Sequence, residues 1–191
     1  MDTRFLFSNF PFLSDEKMTL SQLYITDEDY LNDILKQNNF NYDANYHIQM
    51  SEHGFRNKRY VELGYYKNEK PNLLLGTLNM TNIDEDLQSV QLEVLPNYDE
   101  LESAKLAVNT LLDFLFNQIN VKRVYAKKIN ACEKWQDIFE DNNFVFEGIL
   151  RQSALIPQTL EIGDIYIYGK LDSEHIKKGD AEETAFDDTD G

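Results

Sequence analysis

Cysteine, basic side chains and long apolar runs are all scarce in this sequence, and each shortage excludes a class of protein. One cysteine, Cys132, among 191 residues leaves no pair for an intrachain disulfide framework and fits a reducing compartment. Lysine and arginine number 18 against 34 aspartates and glutamates, a formal net charge of −16. Such a balance repels phosphate backbones and anionic lipid headgroups, so neither nucleic acid nor a membrane surface is an expected partner. Cationic partners are favoured instead: amines, or basic peptides and proteins. No segment approaches the ~20 apolar residues of a membrane span. The opening MDTRFLFSNFPFL carries Asp2 and Arg4, without a continuous apolar core or a small-residue cleavage site, so it does not read as a signal peptide. The expected compartment is the cytoplasm.

What remains is enough for one domain with a real core. Hydrophobic residues make up 42% and charged residues 27%, ordinary for a globular chain. The composition changes after Leu171. Residues 172–191 hold eight acids against Lys177 and Lys178, with Phe186 as their one aromatic residue. That stretch has too little apolar surface to offset its ordering entropy and is expected to be a solvated, disordered acidic tail behind a domain of residues 1–171.

Within the body, strand and helix patterns alternate. Met18–Tyr24 suits a short strand. Thr26 or Asp27 can cap a helix to about Gln37, with Tyr30, Leu31, Ile34 and Leu35 at helical spacing. The Asn-rich 38–57 has room for one short helix. Arg59–Lys67 and Leu73–Asn82 read as strands around a turn at Pro71, and Val90, Leu92 and Val94 alternate with Gln91 and Glu93 as in a half-buried strand. Glu102–Ile119 carries the strongest helical pattern, with Leu106, Leu111, Leu112, Leu115 and Phe116 along one side. Val121–Lys127 is a further strand. Asn130 with Glu133 forms a variant capping box ahead of a helix that points Trp135, Ile138 and Phe139 inward. Phe144–Ile156 and Ile162–Leu171 close the domain as antiparallel neighbours. The predicted order is βα(α)βββαβαββ, a mixed α/β domain.

Several runs in that order carry a family resemblance. Phe10-Pro11-x-Leu13 with Glu16–Leu20 resembles an opening strand. Gly76-Thr77-Leu78, Leu111–Phe116 and Val121–Val124 occupy the places of a third strand, a central helix and a fifth strand. Phe144–Arg151 and Asp164–Gly169 follow. Together they resemble the GNAT acetyltransferase superfamily, in the branch that acetylates ribosomal-protein N-termini. The resemblance implies an α+β mixed sheet splayed between its fourth and fifth strands, with acetyl-CoA in the cleft. The implied reaction is acetyl transfer to a primary amine of a small molecule or protein N-terminus. The alternative function is a non-catalytic binding module for a cationic peptide or protein.

The same resemblance places the candidate site residues. Backbone from Leu92 to Val94 would hold the pantetheine arm. Amides of the run Asp99-Glu100-Leu101-Glu102-Ser103-Ala104 would meet the pyrophosphate, as free N–H groups at a helix start do. Glu100 and Glu102 stand where the family has glycines. A carboxylate about 4 Å from a phosphate costs on the order of 4 kcal/mol at an effective dielectric near 20, so these side chains weaken the phosphate site. Ser89 stands at the family's base position, which leaves Glu93, or a cleft tyrosine such as Tyr98, to handle the proton. Cys132 and Trp135 fall where the family has Asn and Ser beside the cofactor, Cys132 reading as a small, at least half-buried residue and Trp135 as core; Asn130 can substitute if the loop shifts by two residues. His47 and His53 lack the spacing of a helical metal pair and read as ordinary polar residues, so no metal is expected.

Overall fold

The computed structural model describes residues 6–7, 12–156 and 159–175. Eight strands form one sheet: β1 (Leu13–Ser14), β2 (Met18–Ser21), β3 (Val61–Lys67), β4 (Gly76–Asp84), β5 (Ser89–Pro96), β6 (Arg123–Ile129), β7 (Val145–Leu155) and β8 (Ile162–Leu171). They lie in the order β1-β2-β3-β4-β5-β6-β8-β7. Every neighbouring pair is antiparallel except β5 and β6. The helices are α1 (Glu28–Gln37), α2 (Ala44–Arg56), α3 (Leu101–Asn117) and α4 (Glu133–Glu140). The expected order is borne out, with the two-residue β1 added in front. The expected fourth and fifth strands are therefore β5 and β6.

Strand alternation assigns each face of the sheet. Val61, Leu63 and Tyr65 of β3, Leu78 and Met80 of β4, and Val90, Leu92 and Val94 of β5 join one core with α3 and α4. Side chains of a strand alternate between faces, so the intervening residues project the other way. There Tyr66 meets Leu31, Ile34 and Leu35 of α1 and Ala44 and Ile48 of α2 in a second cluster. Helices thus cover both faces. On the first, Trp135, Phe139, Phe144 and Leu112 share one core, as the periodicity predicts. The Trp135 and Phe139 rings lie 4.4 Å apart, and Phe139 meets Phe144 edge-on at 5.0 Å. Leu106, placed by the pattern on the inner side of α3, is instead half-exposed.

Three further expectations are corrected. The 38–57 stretch is not a short helix in a loop: α2 runs 13 residues, begun by Asp43, whose Oδ1 accepts the Tyr46 amide at 2.8 Å. The first strand stops at Ser21, and a 3₁₀ turn at Ile25–Asp27 leads into α1. Buried Asp27 accepts the Tyr24 amide at 2.7 Å and the Tyr66 hydroxyl at 2.8 Å, which fixes that turn against β3. Asn130 does not cap α4. Its φ of 46° takes the chain out of β6, its Oδ1 accepts the Asp164 amide, and Cys132 is the residue that precedes the helix.

Residues Asp172–Glu174 form another 3₁₀ turn that packs on the body. Asp172 pairs with Lys122. His175 Nε2 donates to Asp113 Oδ1 at 2.7 Å, and its ring lies against that of Phe116. The remainder of the expected acidic tail lies outside the described residues.

Candidate active site

The site follows from a break in the sheet. β5 and β6 pair over three residues only, Ser89 with Arg123, Val90 with Val124 and Gln91 with Tyr125. Beyond Gln91, β5 keeps β4 on one side, and among the described residues no strand takes the other. The expected splay is therefore present, and a cavity of about 820 Å³ opens beside it. Glu93 to Leu95 of β5 and Lys127 to Ile129 of β6 form two walls. The end of α1, the cavity face of α2 and Trp135 complete it.

Register sets its polar surface. Glu62 of β3 stands opposite Asn79 of β4, which stands opposite Glu93 of β5, so the three form a row across the strands. Glu93 opens onto the cavity, and its Oε1 accepts from Gln91 Nε2 at 3.1 Å and from Thr81 Oγ1 at 3.4 Å. Burial pushes its carboxyl above the usual range, and nearby Glu62 adds to the rise. Glu62 is deeper. Its Oε1 accepts Thr77 Oγ1 at 2.8 Å and meets His47 Nε2 at 2.7 Å. Around this row stand Tyr42, Tyr46 and Tyr60. Burial raises the Tyr42 hydroxyl to about 12, so it is protonated at neutral pH. Across the cavity, burial lowers the Lys128 ammonium.

The residues predicted for acetyl-CoA divide into two groups. Leu92 and Val94 turn their side chains into the core, which leaves their backbone along the open flank of β5. Tyr98 lies at the mouth of the split. Its Oη accepts from Cys132 Sγ at 3.8 Å, and burial raises its hydroxyl. Cys132 is exposed rather than half-buried, and Trp135 is core, with its indole forming the cavity floor. Asn130 lines the cavity although it is bonded to Asp164.

At the phosphate end Glu100 immediately precedes α3, whose first residues are Leu101, Glu102, Ser103 and Ala104. Its Oε2 accepts Lys67 Nζ at 2.8 Å and Ser103 Oγ at 3.3 Å. The Lys67 hydrogen bond holds the Glu100 carboxyl below its ordinary range. Glu102 turns outward to Lys105 at 2.7 Å. The open flank and the protonated Tyr98 hydroxyl thus fit the arm and thioester end of acetyl-CoA. The helix start is partly filled by the chain's own carboxylate.

Tyr42, His47, Glu62 and Lys67 escaped the sequence reading as site residues. His47 reads there as an ordinary polar residue, yet with Glu62 it forms a buried pair on the cavity wall. The signal was present in the Asp43 cap and the helical spacing of Ala44 and Ile48, which define a helix long enough to bring His47 to the sheet. His53 lies on the same helix, and among the described residues no group of side chains is arranged to hold a metal ion.

Neither a family model nor a curated protein matches the sequence. The fold, by contrast, matches solved structures. A GCN5-related N-acetyltransferase from Brucella melitensis superposes with a TM-score of 0.71 at 14% identity, over 87% of this chain and 80% of its own. The fold is that of the GNAT acetyltransferases. The microcin C7 self-immunity acetyltransferase MccE, solved with acetyl-CoA and AMP, is similar with a TM-score of 0.67 at 18% identity, over 82% of this chain and 93% of its own. Mutant forms of the spermidine/spermine N-acetyltransferase SpeG from Vibrio cholerae are similar at 0.66 and 16%, over 84% and 97%. No helix among the described residues is long and apolar enough to cross a membrane.

Proposed function

We propose that this GNAT-fold protein transfers an acetyl group from acetyl-CoA to a primary amine that enters as a cation. The observation that carries the reading is the polar row Glu62–Asn79–Glu93, flanked by tyrosines, at the foot of the β5–β6 split. Glu93 attracts an ammonium and orients it by hydrogen bonding, while the tyrosine faces add cation–π attraction. Acetyl-CoA would supply the acetyl group as an activated thioester. Leu92–Val94 backbone would bind its arm, Lys67 and the α3 start its phosphates, and Tyr98 Oη would protonate the departing thiolate. The solved complex of MccE with acetyl-CoA supports this placement by fold, and SpeG supports an amine acceptor.

The engaged Glu100 favours a second reading, a GNAT-like module that binds a basic peptide or protein through the same acidic cavity without turnover. Calorimetric titration with acetyl-CoA, followed by a free-thiol assay over a panel of cationic primary amines, separates the two. Binding and amine-dependent thiol release support transfer. Absence of acetyl-CoA binding, with a basic peptide still bound, would leave the module.

A further inference from the structure

An amine acylates only as the neutral base, so a site that recruits an ammonium needs an acceptor for its proton. Glu93 is the obvious carboxylate, but a second arrangement is built into the opposite wall. His47 has both ring nitrogens engaged: Nε2 lies 2.7 Å from Glu62 Oε1, and Nδ1 lies 3.3 Å from Tyr42 Oη. Its side chain is 11% exposed and that of Glu62 is 4%, so neither is open to bulk water. The Glu62 carboxylate only accepts. It therefore accepts the hydrogen bond from Nε2–H, and in the neutral imidazole this leaves Nδ1 to accept from the Tyr42 hydroxyl. The Tyr42 and His47 rings stack at 5.8 Å with an interplanar angle of 17°, which keeps that pairing in place. Tyr42 is 38% exposed and lines the cavity that an amine would enter.

We infer that Tyr42, His47 and Glu62 form a proton relay that converts the incoming ammonium to a nucleophilic amine. The ammonium gives one proton to Tyr42 Oη as the Tyr42 proton passes to His47 Nδ1. The amine becomes neutral, Tyr42 stays neutral, and the positive charge moves to an imidazolium beside the Glu62 carboxylate. His47 returns the proton through Tyr42 to water after the product leaves. Tyr42 is the catalytic residue here, His47 stores the proton, and Glu62 is a positioning residue that sets the tautomer. Glu93 then anchors the ammonium without serving as its base. The relay rests on the acetyltransferase reading.

The test compares two acceptors at neutral pH: ethylamine, which is an ammonium there, and trifluoroethylamine, which is already neutral. Tyr42→Phe removes one oxygen from a partly exposed ring and leaves packing intact; His47→Gln keeps a donor for Glu62. With ethylamine both variants should lose about 100-fold in kcat/KM, whereas with trifluoroethylamine the loss should be less than about threefold. Glu62→Gln should show the same discrimination in weaker form. Independently of turnover, ¹⁵N spectra of wild type should show His47 protonated on Nε2 with Nδ1 bare. Equal losses with both amines, the opposite tautomer, or discrimination confined to Glu93→Gln would overturn the relay and leave the acetyltransferase reading standing. Wild type inert towards both amines would remove that reading and the relay with it.

Discussion

Glu100 places a carboxylate at the start of α3, where a phosphate would otherwise be drawn by amides and the helix dipole. Lys67 balances its charge, so the pair is internally satisfied and a phosphate arriving there would have to displace Glu100 from Lys67. Glu100→Gln should free Lys67 for a ligand phosphate while keeping a polar side chain for Ser103. If one quarter of the on-paper repulsion is relieved, acetyl-CoA affinity rises about fivefold, more at low salt. Calorimetry in two ionic strengths checks this, and unchanged affinity would mean that the pair lies outside the phosphate path. Glu93 offers a pH-dependent counterpart. Its carboxyl is raised in the folded protein, so ionisation at neutral pH opposes folding. Glu93→Gln should raise the thermal midpoint at pH 7. That advantage should shrink as pH falls through the carboxylate range, because wild-type Glu93 then becomes protonated and sheds its penalty. An advantage that grows towards acid would contradict the sign.

At the scale of elements, α4 is short and depends on what it buries. Trp135, Ile138 and Phe139 are each no more than 1% exposed; Trp135 and Phe139 meet the Tyr168 ring, and Phe139 also meets Phe144. Phe139→Ala should cost roughly 3–5 kcal/mol, read from denaturant midpoints at constant m-value. A cost below about 1 kcal/mol would show that the pocket collapses around the deletion. These elements were legible because their apolar period is long, as in α3, closely spaced on one side, as with Trp135, Ile138 and Phe139 of α4, or strictly alternating, as in β5. α2 was harder to read because its inward face is mixed, with Ser51 and Gly54 beside Ile48. The site was half legible. Glu93 and the β5 flank follow from strand alternation and the family resemblance. The His47–Glu62 pair joins residues from a helix and a strand 15 positions apart, and no local pattern encodes which side chains meet across a sheet face. The Lys67–Glu100 pair escaped for the same reason.

At the scale of the molecule, the C-terminal end of β8 is tied down by more than its strand pairing. His175 joins Asp113 and Phe116 of α3, and Asp172 joins Lys122. A chain ending at Leu171 should therefore be less stable than one ending at His175, by about 1–3 kcal/mol given one part-buried charge-assisted hydrogen bond and its ring contact. Equal thermal midpoints would show that the turn merely rests on the surface. The three-residue pairing of β5 with β6 has a larger consequence. Five strands stand on one side of that seam and three on the other, joined in the sheet by few hydrogen bonds and otherwise by the apolar core they share. The protein therefore behaves mechanically as two leaves on a narrow spine. Amide hydrogens on the facing edges of β5 and β6 should exchange sooner than those deep in either leaf. Anything that wedges into the gap and bonds both edges acts as a splint, and stiffens the whole sheet from its weakest line.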